Sequence, residues 1–86
     1  MPSPTILVVD DELGIRNLLT TVLKSEGYTV RQAENGQEAI DAVKESVPDL
    51  VLCDIKMPVK DGMETLRELR GIAQELPVMM LTAHGT

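Results

Sequence analysis

The sequence predicts an α/β fold in which parallel strands alternate with helices. Short apolar runs, such as those at residues 5–9 and 50–53, alternate with segments whose apolar residues recur at helical spacing. This alternation is typical of βα units that assemble into a parallel sheet. The chain has 86 residues, of which 43% are hydrophobic, and Tyr28 is its one aromatic residue. We therefore expect a single small domain, residues 1–86, with an aliphatic core.

The first half of the chain predicts two strands separated by a helix. The first strand is Thr5 to Val9, and the helix runs from about residue 12 to 26, where Gly27 can adopt the left-handed conformation that ends a helix. The second strand, about residues 28–33, alternates weakly and suits an edge of the sheet. The apolar residues that define the first helix are Ile15, Leu18, Leu19, Val22 and Leu23.

The second helix begins with a capping signal and is followed by a buried strand. Asn35 is predicted to cap the helix and Glu38 to reach back to its start, and Pro48 stops it. The unbroken apolar strand at residues 50–53 suits a central position, buried on both faces. The helix presents Ala39, Ile40, Val43 and Val47 as its apolar face.

The third helix and fourth strand complete the predicted elements. After a loop at residues 55–61, Asp61 and Glu64 repeat the capping signal. Pro77 precedes the fourth strand, residues 78–81. The apolar residues of the third helix are Met63, Leu66 and Leu69, with Ile72 and Ala73 as further candidates, and the methionines Met57, Met63, Met79 and Met80 are expected to fill the core.

Acidic residues follow two of the predicted strands at the point where each strand ends. Asp10 and Asp11 follow the first strand, and Asp54 follows the third. Ligand sites of parallel sheets lie at the carboxyl ends of the strands, so these carboxylates are expected to form one pocket. Three close anions repel unless a cation lies among them, and an all-oxygen ligand set suits Mg²⁺ better than Ca²⁺ or Zn²⁺. The alternative for Asp10 and Asp11 is helix capping.

An aspartate beside Mg²⁺ has two chemical uses, and the residues alone leave both open. It can be a metal ligand in assisted hydrolysis, or a nucleophile that attacks phosphorus to give an aspartyl phosphate. Thr82, at the end of the fourth strand, can donate a hydrogen bond to a phosphoryl oxygen, although alone it is an ordinary strand residue. Cys53 is expected to pack in the core without a redox role.

The composition excludes several classes of function. A formal net charge of -6 argues against nucleic-acid binding and against anionic membranes, which both need clustered lysine and arginine. No apolar run approaches the roughly 20 residues of a transmembrane helix, and the first residues lack the features of a signal peptide. Cys53 is the single cysteine, so no intrachain disulfide can form. We therefore expect a cytoplasmic location.

Three motifs together resemble the receiver domain of two-component response regulators. The first joins Val9 to the acids at 10–12, the second is Asp-Ile-Lys-Met-Pro at 54–58 with Asp-Gly at 61–62, and the third is residues 77–83. Their order and spacing over nearly the whole chain make the resemblance specific. The stretch 82–85, Thr-Ala-His-Gly, is similar to receivers of the nitrogen-regulator type.

The resemblance implies a flavodoxin-like, doubly wound fold with the incomplete pattern βαβαβαβ and strand order 2-1-3-4. The fifth strand and last two helices are expected to be absent, which makes the chain a truncated receiver domain. The phosphate-pairing lysine and the aromatic switch residue of the family lie around that fifth strand, and neither can be placed on a residue of this chain.

The resemblance also implies roles for individual residues. Asp54 would accept the phosphoryl group, Asp10 and Asp11 would hold Mg²⁺ together with Asp54 and the Lys56 backbone carbonyl, and Thr82 would be the switch hydroxyl. The partner would be a histidine kinase or phosphotransfer protein, and the chain would not be an enzyme for a separate substrate. Two alternatives are an inactive fragment that still binds Mg²⁺ and a small Mg²⁺-dependent phosphohydrolase.

The fourth strand predicts self-association. Residues 78–81 are apolar, and their outer edge would be open to pairing. We expect a homo-oligomer, formed by pairing of fourth strands across a dimer axis or by exchange of elements between protomers.

Overall fold

The computed structural model describes residues 3–54 and 61–81 of the chain. Its helices and strands follow the predicted order, and their bounds differ from the prediction by a few residues at most. The elements are β1 (Thr5–Val9), α1 (Leu13–Ser25), β2 (Thr29–Ala33), α2 (Gly36–Glu45), β3 (Leu50–Asp54), α3 (Gly62–Ile72) and β4 (Val78–Leu81).

The four strands form one parallel sheet in the order β2-β1-β3-β4. This order confirms the predicted doubly wound arrangement, with β2 at one edge and β3 in an interior position. In the register of the sheet, Val9 of β1 lies opposite Ala33 of β2 on one side and Cys53 of β3 on the other. The carboxyl ends of β1 and β3 are therefore level with each other.

Apolar side chains from both faces of the sheet form the core. On one face, β1 and β3 pack against α2 and α3, and on the other face they pack against α1, because successive side chains of a strand point to opposite faces. The fully buried positions include the central residues of both strands. The first cluster contains Leu7, Val9, Val51, Cys53, Ala39, Ile40, Val43 and Leu69, and the second contains Ile6, Val8 and Leu52 with Leu19 and Leu23 packed against them.

Local signals in the sequence set the helix ends. The backbone N–H of Glu38 donates to Asn35 Oδ1 at 2.9 Å, and the backbone N–H of Glu64 donates to Asp61 Oδ1 at 2.8 Å. Each bond satisfies an amide that has no partner inside its helix. Gly27 has a φ of 94°, the left-handed conformation predicted for it after α1. Both capping predictions are confirmed.

The prediction of which residues form the buried face of α1 is partly wrong. Leu18 is 63% exposed and Val22 is 50% exposed, and Ile15 also lies at the surface. The inward face of the helix instead carries Arg16, which is buried, together with the half-buried Leu19 and Leu23. The reason is that Arg16 finds hydrogen-bond acceptors beneath the helix, so the helix is turned toward the arginine rather than toward Leu18.

Several further residues predicted for the core lie at the surface. In α3, Met63 and Ile72 are exposed, whereas Leu69 is fully buried as predicted. Thr65 is also fully buried, and its hydroxyl donates to the Asp61 carbonyl at 2.9 Å. The bond removes the cost of burying that hydroxyl. Val47 and Met79 are also exposed, Met80 packs half-buried against the core, and Met57 lies outside the described residues.

Within the described parts of the chain, no helix has both the length and the apolar character needed to cross a membrane.

Candidate functional site

Three carboxylates meet at the carboxyl edge of the sheet. Asp10, Asp11 and Asp54 each offer one oxygen, and these oxygens all lie within 4.8 Å of one another. They converge because β1 and β3 are adjacent and in register at Val9 and Cys53, so the residues that follow are neighbours. Asp10 and Asp54 are each only 5% exposed, while Asp11 is exposed. The pocket therefore has a buried floor and one carboxylate open to solvent.

Asp10 is fixed by hydrogen bonds to three separate parts of the chain. Its backbone N–H donates to the Ala33 carbonyl at 3.1 Å and so continues the β1–β2 ladder. Its Oδ1 accepts the Glu12 amide at 2.8 Å, and its carbonyl accepts a bond from the Arg16 guanidinium at 2.7 Å. These bonds hold the turn through which the chain leaves β1, and this turn is what allows consecutive aspartates to face one pocket.

The capping alternative does not describe this turn. The N-cap position of α1 belongs to Glu12, whose side chain makes no capping hydrogen bond. Asp10 instead accepts the amide of Glu12 itself, which is a local turn of the Asx type ahead of the helix. Asp10 and Asp11 thus lie outside α1, at the entrance of the pocket.

Arg16 is a part of the site that the sequence reasoning missed. Its side chain is 9% exposed and donates to the Asp10 carbonyl through one terminal nitrogen and to Gln32 Oε1, at 3.4 Å, through Nε. The available signal was its spacing, because residues 16, 19 and 23 share the inward face of α1. A charged residue at a core position indicates that it has a hydrogen-bond partner. Here the acceptors belong to Asp10 and Gln32, which lie outside α1, so the periodicity of the helix does not reveal them.

The electrostatic effect of the acids is visible at Cys53. Burial, together with the smaller effect of the nearby charges of Asp54 and Asp10, raises the pKa of its thiol to about 12. Its Sγ lies in the core and donates to the Asp54 carbonyl at 3.4 Å. This confirms the prediction that Cys53 packs in the core.

The residues present fit a hard divalent cation. The described donors are carboxylate oxygens, which match the preference of Mg²⁺, and their small number leaves coordination positions for water or a ligand. A cation would also relieve the repulsion among the three acids. Lys56 and Thr82, the other predicted site residues, lie outside the described residues, as do the residues of the loop that follows Asp54, so their roles stay predictions.

Comparison with known proteins gives a consistent family assignment. The family model for the response regulator receiver domain matches residues 6–86. Sporulation initiation phosphotransferase F of Bacillus subtilis is 46% identical over 85 residues, which are 99% of this chain and 68% of the relative. Response regulator MprA of Mycobacterium tuberculosis is 43% identical over 84 residues, 98% of this chain but only 36% of that relative.

Solved structures show the same fold. Chemotaxis protein CheY4 of Vibrio cholerae superposes with a TM-score of 0.92 at 30% identity, covering 98% of this chain and 72% of the other. Response regulator TrrA of Thermotoga maritima, solved in complex with Mg²⁺ and BeF, gives a TM-score of 0.90 at 43% identity, covering 95% of this chain and 71% of the other. This chain thus spans about two thirds to three quarters of the shorter relatives.

Proposed function

The chain belongs to the response regulator receiver domain family, and we propose that it is a phospho-accepting signalling module with Asp54 as the acceptor. The observation that carries this proposal is the convergence of three acidic oxygens within 4.8 Å at the carboxyl edge of the sheet. Asp54 is the member that ends the interior strand β3, and Asp10 and Asp11 approach it from β1. The remaining proposals follow from this arrangement.

The proposed reaction transfers a phosphoryl group from a phosphohistidine to the Asp54 carboxylate. A carboxylate oxygen forms a bond to phosphorus as the phosphorus–nitrogen bond breaks, and the imidazole leaves with that electron pair. Mg²⁺, when bound, supplies positive charge that neutralises the phosphoryl oxygens. Asp10, Asp11 and Asp54 would hold that ion with the Lys56 carbonyl as a further ligand, and Thr82 would donate its hydroxyl to a phosphoryl oxygen.

The proposed partner is a histidine kinase or phosphotransfer protein that carries the phosphohistidine. Because Asp54 is 5% exposed, such a donor must contact the surface that borders the pocket. That border includes α1, which starts immediately after the Asp10–Glu12 turn and exposes Leu13, Ile15, Leu18 and Val22. An apolar stripe beside an acidic pocket suits a helical partner that buries aliphatic side chains while its histidine enters the pocket.

We propose that the chain acts in the cytoplasm and is not an enzyme for a separate substrate. The residues of the pocket would support phosphorylation and dephosphorylation of Asp54 itself. The net negative charge of the chain suits a protein partner rather than nucleic acid or an anionic membrane.

For the 86-residue polypeptide alone, we also propose self-association through β4 or by exchange of elements between protomers. Among the described residues β4 pairs with β3 alone, and Met79 on it is 54% exposed.

One mass-spectrometric experiment tests the proposed reaction. The chain is incubated with Mg²⁺ and a small acyl-phosphate donor, and its intact mass is compared with that of Asp54→Asn. The matched control is Asp49→Asn, which alters the acid that immediately precedes β3, where its carboxylate accepts the Thr5 amide at 2.6 Å. We expect a phosphate adduct in the parent and in the control, and none in Asp54→Asn.

Other outcomes of this experiment identify the alternatives. Mg²⁺ binding without an adduct would indicate an inactive module that keeps the metal pocket. Sustained release of phosphate from many substrates would indicate a phosphohydrolase. An adduct that persists in Asp54→Asn would contradict the assignment of the acceptor.

A further inference from the structure

We propose that Arg16 is a positioning residue for the metal pocket, which it shapes through the Asp10 carbonyl with the help of Gln32. The inference rests on the proposed Mg²⁺ site and adds to it a group that contacts neither the ion nor the phosphoryl group. The Arg16 side chain comes from α1, and its guanidinium donates to the carbonyl of Asp10, the residue that follows β1, at 2.7 Å.

The hydrogen bond from Arg16 holds the peptide group between the two aspartates of the pocket, Asp10 and Asp11. The Asp10 carbonyl belongs to the peptide that joins Asp10 to Asp11, so the orientation of this peptide sets the directions in which both carboxylates leave the backbone. The Asp10 amide is fixed by Ala33 and its Oδ1 by Glu12. Arg16 adds the constraint on the carbonyl side, and with it the whole Asp10–Asp11 peptide is held.

A closed set of hydrogen bonds orients the guanidinium. Arg16 Nε donates to Gln32 Oε1 at 3.4 Å, Gln32 Nε2 donates to Thr20 Oγ1 at 2.7 Å, and Thr20 Oγ1 donates to the Arg16 carbonyl at 2.7 Å. The set links α1 to β2 and returns to the arginine's own backbone. It fixes the plane of the guanidinium, so the terminal nitrogen that meets Asp10 has little freedom to move.

The choice of acceptor matters for the metal. In the hydrogen bonds of the described residues, the guanidinium donates to a backbone carbonyl and a side-chain amide rather than to the carboxylates. A cation paired with Asp10 Oδ atoms would compete with a metal ion for the same oxygens. Arg16 instead places a buried positive charge next to the acidic pocket and leaves the carboxylates as ligands.

Groups of this kind have a known range of effect. Residues that orient metal ligands without touching the metal change metal affinity by about 10–100-fold when they are removed. We therefore expect Arg16→Met, which keeps an apolar stem and removes the donors, to weaken Mg²⁺ binding at least tenfold. Arg16→Lys, which keeps one donor for the Asp10 carbonyl but loses the bond to Gln32, is expected to recover part of the affinity.

Arg31→Met is the matched control. The Arg31 guanidinium also donates to two backbone carbonyls, those of Ala42 at 2.8 Å and Ser46 at 2.7 Å, and it lies on β2 as Gln32 does. Its bonds hold the end of α2, away from the pocket. Its removal lowers stability for the same physical reason as removal of Arg16, and it leaves the Asp10–Asp11 peptide untouched.

The test is a calorimetric Mg²⁺ titration of the parent, Arg16→Met, Arg16→Lys, Arg31→Met and Gln32→Met, at a temperature where each is folded by circular dichroism. The carbonyl carbon shift of Asp10 reports the loss of the guanidinium bond directly. We expect affinity in the order parent and Arg31→Met, then Gln32→Met and Arg16→Lys, then Arg16→Met. Gln32 is exposed, so its variant folds even where Arg16→Met fails, and its weaker binding then carries the test.

Two results would overturn the inference, and they can be told apart. If the parent and Arg16→Met bind Mg²⁺ with equal affinity, Arg16 does not position the pocket. If Arg16→Met does not fold, the same conclusion follows from a Gln32→Met variant that binds Mg²⁺ as tightly as the parent. In both cases the proposed function is unaffected. If the parent binds no Mg²⁺, the proposed metal site fails, and the positioning role fails with it.

Discussion

Asp54 is the last residue of β3, Asp10 follows the adjacent strand β1, and their two nearly buried carboxylates lie in one pocket with ligand oxygens within 4.8 Å. At that separation and an effective dielectric constant of about 20, two unit charges repel by roughly 3 kcal/mol. The fold therefore brings two like charges together at the carboxyl edge of the sheet, where a bound cation would reduce their repulsion. This has a direct consequence for stability.

Asp10→Asn is expected to stabilise the metal-free protein. The amide keeps an oxygen that can accept the Glu12 N–H and removes one charge from the pocket, so the gain is up to about 3 kcal/mol in the free energy of unfolding. Urea unfolding in the presence of a chelator measures it. Asp41→Asn, on the exposed face of α2, is the control and should change little.

Saturating Mg²⁺ should narrow the difference in stability between the parent and Asp10→Asn. The parent gains stability by mass action, by about 2.7 kcal/mol at a concentration 100 times its dissociation constant, and Asp10→Asn gains less. Equal stability of the two proteins under both conditions would show that the acids neither repel nor bind the ion.

Asn35→Ala is expected to cost about 1 kcal/mol in the free energy of unfolding. It removes the oxygen that accepts the Glu38 amide at the start of α2. Glu12→Ala is the matched control, because Glu12 occupies the N-cap of α1 without a side-chain capping bond and its loss should be nearly neutral. Thermal or urea unfolding measures the stability of both variants. Equal losses of stability in Asn35→Ala and Glu12→Ala would contradict the capping role of Asn35.

Cys53 should make the fold sensitive to alkaline pH. Its pKa of about 12 in the folded state lies above that of an exposed thiol, so the folded state keeps a proton that the unfolded state releases. The contribution to stability is complete below about pH 9 and is lost as the pH rises toward 12, at up to about 1.4 kcal/mol per pH unit. Cys53→Ala should flatten this slope in unfolding measured at several pH values, and an unchanged slope would assign it to other groups.

Leu18→Ala is expected to slow phosphotransfer from a phosphohistidine protein by about tenfold while leaving phosphorylation by a small acyl phosphate unchanged. Leu18 is 63% exposed, so the change in the free energy of unfolding should stay within about 0.5 kcal/mol. Val47→Ala is the control at an exposed apolar site near the opposite edge of the sheet. The rates can be measured by gel assays of reactions quenched at timed intervals. Equal phosphotransfer rates for the parent and Leu18→Ala would show that Leu18 of α1 does not contribute to the surface that binds the partner.

Self-association of the 86-residue polypeptide should depend on β4. Met79→Lys places a charge on this strand and should shift sedimentation equilibrium toward monomer, because charged edge strands pair poorly. Met63→Lys alters a methionine of similar exposure on α3 and should leave the equilibrium unchanged. A parent that sediments as a folded monomer at high concentration would contradict the proposed association.

The strand ends were predictable because they depend on one simple rule. Apolar runs that stop at Asp10 and Asp54 can be recognised in the sequence, and parallel strands bring their carboxyl ends to the same edge. The caps at Asn35 and Asp61 were predictable for a similar reason, since each acts on an amide a few residues away. Both inferences needed only local chemistry and the direction of the chain.

The orientation of α1 was not predictable in the same way. Aliphatic residues surround much of this helix, so the pattern permits more than one inward face. The acceptors for Arg16 are the Asp10 carbonyl and Gln32, and both come from elements other than α1. Single-sequence periodicity records where apolar residues recur, but it does not record which polar residue will find a partner after folding.

The register of β1 between its neighbours, with Val9 opposite both Ala33 and Cys53, has a consequence for folding. A shift of one residue would move Asp10 by about 3.3 Å along β3 and would turn the side chains of β1 to the wrong faces. A metal ion that needs Asp10 and Asp54 together therefore binds the correctly paired sheet and rejects the shifted one. Mg²⁺ binding would therefore stabilise the correct pairing of β1 with β3 over the shifted pairing.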